Sequence, residues 1–237
     1  MVALIVVVLL ASALVIHAAN SRASLLSPRA TPIVYDRNGA FITQIGAGGD
    51  YGYWPLRAVP PRVALATLAL EDRRFASHPG IDPRAVLRAA WRNLTGRGRR
   101  EGASTIAMQV ARMQEPAPRS LAAKIVEAAT ALALVARHGH DAVLAHYLRL
   151  APYGNGSHGI AHAARFYFDK PVADLSLAEI ALLAAVPQSP GRMNLFRERG
   201  LALARARAAR VLDHLSRENL VEPAQIALAV RQLATLR

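Results

Sequence analysis

The chain has 237 residues, of which 29 are Lys or Arg and 16 are Asp or Glu, so its formal net charge is +13 at pH 7. Hydrophobic residues make up 53% of the chain, which excludes an intrinsically disordered protein. There is no cysteine, which excludes a disulfide scaffold, a thiolate zinc site and a cysteine nucleophile. The basic balance predicts an anionic partner: nucleic acid, a phosphate-bearing substrate or an anionic membrane face.

The first predicted element is a transmembrane anchor over residues 1–19. Val2 to Ile16 carry no charge, and Ala18 and Ala19 extend the apolar stretch. About 17–20 apolar residues span a bilayer, whereas the apolar region of a secretory signal has about 7–15. A cleaved signal peptide is the alternative, because small residues follow the stretch. No Lys or Arg precedes it, so the positive-inside rule does not support an orientation with the N-terminus inside.

Residues 20–59 are predicted to form a linker followed by a β-hairpin. Residues 20–32 contain Ser, Arg and two prolines, which is typical of a linker. Asp36-Arg37-Asn38-Gly39 then lies between the apolar runs at 33–35 and 41–42. Asn-Gly between apolar runs is a strong hairpin signal.

From residue 60 the pattern is helical, and residues 60–237 are predicted to form one domain. Prolines at positions 61 and 83 suit the first turns of two helices, the second of them capped by Asp82. Residues 95–102 have no apolar period and are predicted to form a mobile basic loop. The fold class predicted is therefore mainly α, with little strand content.

Five further helices are predicted in the rest of the chain, one of them capped by Asp141 and stopping before Pro152. Ser120 can cap a long helix that ends near Gly139. Ser176 and Glu179 have the spacing of a capping box, in which each side chain bonds to the other residue's backbone N–H. Ala- and Leu-rich helices follow over roughly 200–217 and 223–235.

The first group of chemically active residues runs from Glu71 to Asp82. Glu71 and Asp72 end an otherwise apolar helix, and a carboxylate at the edge of an apolar face loses solvation, which favours use as a base. The structural alternative is an ion network with Arg73, Arg74 or His78.

The second group lies at a loop-to-helix junction. Ser104 and Thr105 offer hydroxyl and backbone N–H donors to an anion there. Gln109 and Arg112 are three residues apart, so they share a helix face. The alternative is a simple helix cap with a solvated arginine.

Arg119, Lys124 and Glu127 form the third group. Cations of this kind bind phosphate, and a neighbouring carboxylate can hold the lysine in place or ligate a metal. A surface salt bridge of little energetic consequence is the alternative. Two later stretches, 147–159 and 175–190, are predicted to be mostly structural, the second as a core helix and its exit loop.

The order and spacing of these groups resemble the five motifs of the family 51 glycosyltransferases. This family comprises the peptidoglycan transglycosylase module of class A penicillin-binding proteins and the monofunctional transglycosylases. The hairpin and the Trp54-Pro55-Leu56 segment before the first helix of the domain are most similar to the penicillin-binding protein 1C branch. The matching stretches are Glu71–Asp82, Gly102–Gln109, Arg119–Glu127, Tyr147–Gly159 and Leu175–Pro190.

The resemblance implies a lysozyme-like, two-lobed helical domain that polymerises lipid II into glycan strands and releases undecaprenyl pyrophosphate. It implies two catalytic residues: Glu71, the general base that deprotonates the acceptor hydroxyl, and Glu127. It also implies a set of residues that bind the donor's sugar and pyrophosphate. That set is Ser104, Thr105, Gln109, Arg112, Arg119 and Lys124.

The resemblance further implies a location on the cytoplasmic membrane, with a single membrane span and the catalytic domain on the outer, periplasmic face. The implied partners are lipid II, the growing glycan chain, membrane lipids and, as a further class, other cell-wall synthesis proteins, but no nucleic acid. Some family members use Mg²⁺ or Mn²⁺ at the donor site; no metal-ligand residues are assigned here. Ala123 departs from the family, which usually has a basic residue before the motif lysine.

Three function classes stay open for these residues. A polymerising glycosyltransferase needs fixed cations for the pyrophosphate, whereas a lysozyme-like hydrolase of neutral glycan does not. An inactive cell-wall scaffold is disfavoured by the presence of Glu71 and Glu127. No Ser-x-x-Lys followed by Lys-Thr-Gly occurs after residue 190, so the chain is expected to be either a monofunctional enzyme or a piece of a bifunctional one.

Overall fold

A computed structural model of the chain describes residues 1–38, 41–45, 51–56, 58–95, 103–118 and 120–236. Helices dominate these residues and the strands are short, which confirms the mainly α prediction. The chain divides into two compact units, and the domain boundaries predicted at residues 19 and 59 stay a prediction. The first unit is Met1–Leu26 with Arg74–Tyr147, and the second is Ser27–Arg73 with Leu148–Arg237.

The first unit is built from helices. It contains α1 (Val2–Arg22), α3 (Pro83–Thr95), α4 (Ile106–Gln114) and the greater part of α5 (Leu121–Leu150). Gly139 interrupts α5 with φ 77° and ψ 166°, values outside the helical region. The long helix therefore breaks where the sequence analysis predicted its end.

Helix α1 is apolar along its length. From Ala3 to Arg22 its mean hydropathy is 2.4, and 6% of this stretch is buried within the protein. Its length and composition are sufficient for one membrane span.

Local side-chain caps explain where α3 and α5 begin. Asp82 Oδ1 accepts hydrogen bonds from the backbone N–H groups of Arg84 at 2.9 Å and Ala85 at 3.1 Å. Ser120 Oγ accepts from Ala123 N at 3.1 Å. These bonds satisfy N–H groups that have no partner inside a helix, so both predicted starts are confirmed. Residues 96–102, most of the predicted basic loop, lie outside the described part of the chain.

The second unit begins with the predicted hairpin. Strands β1 (Ile33–Tyr35) and β2 (Phe41–Gln44) pair antiparallel, with Ile33 opposite Gln44. Asp36 Oδ1 accepts a hydrogen bond from Asn38 N at 2.8 Å at the start of the turn. The remainder of the turn, residues 39–40, lies outside the described residues.

A small three-stranded sheet follows in this unit. Strand β5 (Ser157–His158) lies in the centre, parallel to β3 (Tyr51–Gly52) and antiparallel to β4 (Pro152–Gly154). Helix α6 (Ile160–Phe168) leaves this sheet directly after β5.

The core of the second unit forms around α7 (Leu177–Ala185), in which every residue is buried. It packs against α2 (Pro61–Glu71), α8 (Glu198–Arg217) and α9 (Pro223–Thr235). The predicted capping box at its start is present, with both reciprocal hydrogen bonds formed. The predicted core helix and the two C-terminal helices are therefore confirmed.

Candidate active site

Glu71 is the last residue of α2, in the second unit. Its Oε1 accepts a hydrogen bond from Arg207 Nη2 at 3.0 Å, and each of the two side chains is only 9% exposed. A charge-assisted bond of this kind holds the carboxylate in one orientation inside a largely desolvated site. The candidate general base is therefore fixed by a cation from α8.

Arg207 is the residue of this site that the sequence analysis missed. The sequence offered Arg73, Arg74 and His78 as partners of Glu71 or Asp72. In the structure, Arg74 pairs with Asp82, and Arg73 Nε donates to Ala69 O at 3.0 Å. The signal for Arg207 was available in the pattern of α8, because an arginine there occupies the stripe of small and apolar residues that faces the core. The other members of that stripe are Gly200, Ala204, Ala208, Val211, Leu212 and Leu215.

Tyr153 is a second neighbour of Glu71 within this unit. Its ring is 1% exposed, and burial, with a further contribution from the negative charge of Glu71, raises the pKa of its hydroxyl. The phenol therefore stays protonated at neutral pH. Tyr153 supplies a neutral hydroxyl near the charged pair.

The first unit brings together Ser104, Lys124 and Glu127. Lys124 Nζ donates to Ser104 Oγ at 2.8 Å and to Glu127 Oε2 at 3.0 Å. The Lys124 side chain is 43% exposed, whereas that of Glu127 is 15% exposed. The ammonium group is thus held in place and still reaches solvent, which is the arrangement a phosphate-binding lysine needs.

Thr105 caps α4 and is 3% exposed. Its hydroxyl donates to Gly80 O at 2.6 Å and accepts from Met108 N at 3.2 Å. Both bonds fix the backbone next to Ser104. Thr105 therefore holds the start of α4 against Gly80, in the later part of the stretch from Glu71 to Asp82. Its predicted role in substrate binding stays a prediction.

Two other predicted donor-site residues lie on α4. Gln109 is half-buried and Arg112 is exposed. Arg119 lies outside the described residues. The structure therefore joins three of the predicted residues, Ser104, Lys124 and Glu127, in one hydrogen-bonded group, and places Glu71 in the other unit with Arg207.

No group of three or more His, Asp or Glu residues forms a metal cage within the described part of the chain. Magnesium is commonly bound by one or two carboxylates together with substrate phosphates. Glu127, beside the exposed ammonium group of Lys124, is the carboxylate that fits such a role.

Comparisons with known proteins identify the family of the chain. The sequence profile described as "Transglycosylase" matches residues 38–216. The biosynthetic peptidoglycan transglycosylase of Rhodospirillum centenum is 41% identical over 171 residues, which cover 72% of this chain and 73% of that protein. Penicillin-binding protein 1C of Escherichia coli is 38% identical over 186 residues, 75% of this chain and 24% of the relative.

Penicillin-binding protein 1A of Aquifex aeolicus is 36% identical over 205 residues, 86% of this chain and 28% of that protein. The chain thus spans about a quarter of the length of these penicillin-binding relatives. The profile match covers well over half of the chain and includes both groups of candidate residues. This chain belongs to the transglycosylase family.

Proposed function

We propose that the chain is a peptidoglycan glycosyltransferase that polymerises lipid II into glycan strands. The hydrogen-bonded group of Ser104, Lys124 and Glu127 supports this proposal most directly, because it presents a fixed cation for a pyrophosphate leaving group. A hydrolase of neutral glycan has no need of such a cation.

In the proposed reaction, Glu71 takes the proton of the acceptor sugar's 4-hydroxyl. The freed oxygen electron pair attacks the anomeric carbon of the growing chain, and the bond from that carbon to the pyrophosphate oxygen breaks with inversion. Arg207 orients the Glu71 carboxylate for this proton transfer. Lys124, held by Glu127, compensates the charge on the departing undecaprenyl pyrophosphate.

We place the enzyme on the cytoplasmic membrane, with α1 as the anchor and the catalytic residues on the outer face. The apolar length of α1 supports the anchor. The polyprenyl tail of the substrate requires a site near the bilayer. The proposed partners are the substrate lipid, the glycan product, membrane lipids and other cell-wall synthesis proteins.

The test is incubation of the full chain in detergent with fluorescent lipid II, followed by separation of glycan products on a gel. We expect a ladder of long glycan strands that is absent with the Glu71→Gln variant. A parallel incubation with purified cross-linked peptidoglycan separates the other classes. Release of soluble fragments without polymer formation would identify a hydrolase, and no product in either incubation would identify a scaffold.

A further inference from the structure

The end of α1 differs from the rest of that helix. Most of α1 is exposed, yet Ala19 is 3% exposed and Ala23, which follows its last residue, is fully buried. The burial of these two residues indicates that the last turn of the predicted anchor docks against the first unit. A helix joined to its domain by a free linker would leave both exposed.

An arginine and a histidine side chain of α5 bind the carbonyl groups at this end of α1. Arg137 Nη1 donates to Ala23 O at 3.0 Å and to Asn20 O at 3.5 Å. His138 Nε2 donates to Ala23 O at 3.0 Å. The last carbonyls of a helix lack partners within it and carry partial negative charge, so donors and cations placed there are stabilising.

Two residues at the end of α4 bind the same segment. Gln114 Oε1 accepts from Leu26 N at 2.8 Å, and it also lies 2.8 Å from His146 Nε2. Glu115 Oε2 pairs with Arg22 Nε at 2.7 Å. That ion pair is exposed and contributes little by itself, but the backbone bond to Gln114 extends the docking to residue 26.

We infer that Arg137, His138, Gln114 and Glu115 form an anchor clasp, which mounts the first unit rigidly on its membrane helix. These four are positioning residues for the proposed reaction at the bilayer, and no sequence motif singled them out. The inference rests on the proposed function for its activity test only.

The length of α1 sets the depth of the clasp relative to the bilayer. Twenty helical residues, Ala3–Arg22, measure about 30 Å, which matches the hydrocarbon thickness of a bilayer. Arg22 therefore emerges at the headgroup level. The end of α4 and the break in α5 at Gly139 then form the membrane-proximal face of the first unit, the unit that also carries Lys124 and Glu127.

The first experiment measures rigidity without reference to activity. The chain contains no cysteine, so Ser21→Cys and Ala136→Cys provide unique, exposed sites for two spin labels within the first unit. Double electron–electron resonance, measured in nanodiscs of phosphatidylethanolamine and phosphatidylglycerol, is expected to give one narrow distribution of distances between the two labels. Arg137→Ala with His138→Ala is expected to broaden it. An unchanged narrow distribution in that double variant would overturn the clasp.

The second experiment separates positioning from a general structural role. The same double variant, without labels, is assayed on lipid II in nanodiscs and in detergent. We expect a loss of about tenfold or more in nanodiscs, where orientation to the bilayer matters, and less than about twofold in detergent. Equal losses in the two media would contradict the inference.

A matched control removes the same two residue types elsewhere. Arg210→Ala with His214→Ala, on α8 of the second unit, is expected to leave both the distance distribution and the ratio of the two activities unchanged. If the unmodified chain shows no polymerisation in either medium, the proposed function fails, while the distance measurement still decides the clasp.

Discussion

Arg207 and Glu71 lie 136 residues apart in the chain and form a buried ion pair, with Nη2 3.0 Å from Oε1. Arg207 Nε has no hydrogen-bond partner within the described structure. The pair compensates the charge of the guanidinium group and holds the Glu71 carboxylate in one orientation in a largely desolvated site. Substitution of either residue is therefore expected to have a measurable effect.

Replacement of Arg207 by Met is expected to destabilise the protein. Removal of one member of a buried ion pair leaves the other charge desolvated and costs about 3–5 kcal/mol in the free energy of unfolding. Urea denaturation in mild detergent, followed by circular dichroism, measures the change. Arg217→Met is the control, because its pair with Asp213 is exposed and contributes at most about 1 kcal/mol. Equal effects of the two substitutions would contradict the structural role of Arg207.

Glu71→Gln is expected to abolish polymerisation and to preserve the fold. The amide keeps the shape of the side chain and an oxygen for Arg207, but it cannot accept the proton of the acceptor hydroxyl. Loss of a general base typically lowers a rate about 10²–10⁴-fold. Initial rates on labelled lipid II and the thermal unfolding midpoint are measured together. A variant that polymerises at a substantial fraction of the wild-type rate would remove Glu71 from the catalytic role.

Lys124→Ala is expected to weaken binding of the pyrophosphate-bearing donor. A lost charge-assisted hydrogen bond costs about 1.5–3 kcal/mol, which is roughly a 10- to 150-fold rise in the donor Kd. Lys170→Ala provides a close control, because Lys170 is also paired with a glutamate and is 44% exposed, compared with 43% for Lys124. If the two variants bound the donor with comparable Kd values, the pair of Lys124 with Glu127 would be an ordinary surface ion pair without a role in donor binding.

Gly80→Ala is expected to distort the 71–82 motif. Gly80 has φ +116°, and a Cβ atom there would lie 2.4 Å from Ala131 O, a backbone atom that cannot move aside. Strained backbone of this kind costs about 1–3 kcal/mol before the steric clash is counted. Gly191→Ala, where no atom lies within 4 Å of the new Cβ, is expected to change stability by less than about 0.5 kcal/mol. Thermal unfolding midpoints of the two variants provide the comparison.

The stability of the second unit is expected to fall as the pH decreases from neutral. Burial, together with nearby His158, lowers the pKa of His162 to about 4. Its Nε2 bonds to Gln44 Oε1 at 2.9 Å, and its Nδ1 lies 2.7 Å from Ser157 Oγ. The neutral ring can accept from the Ser157 hydroxyl, whereas the protonated ring cannot.

The unfolded state therefore binds the proton more tightly than the native state does. Since the unfolded pKa is about 6.5, this contribution to stability is complete above that pH and is lost as the pH falls towards 4. Urea midpoints measured between pH 7.5 and pH 4 are expected to fall in the wild type. His162→Gln is expected to show a shallower fall over the same window, and an equal fall would assign the pH dependence to other groups.

The amino-acid sequence by itself determined the elements whose signals are local. Asp82 and Ser176 cap their helices through bonds to residues two or three positions along the chain, so the spacing of residue types is sufficient to predict them. The apolar length of α1 and the hairpin turn are equally local. The ordered motifs also predicted the family, because they preserve residue type and spacing together.

The tertiary structure alone decided which distant side chains meet. Arg207 reaches Glu71 across 136 residues, and Arg137 reaches Ala23 across 114. Neither partner can be read from sequence spacing, because such contacts depend on how the helices pack and on the cost of leaving a buried charge or a helix end without a partner. Helix periodicity could place Arg207 on the buried face of α8, but only the packed second unit identified the carboxylate that compensates its charge.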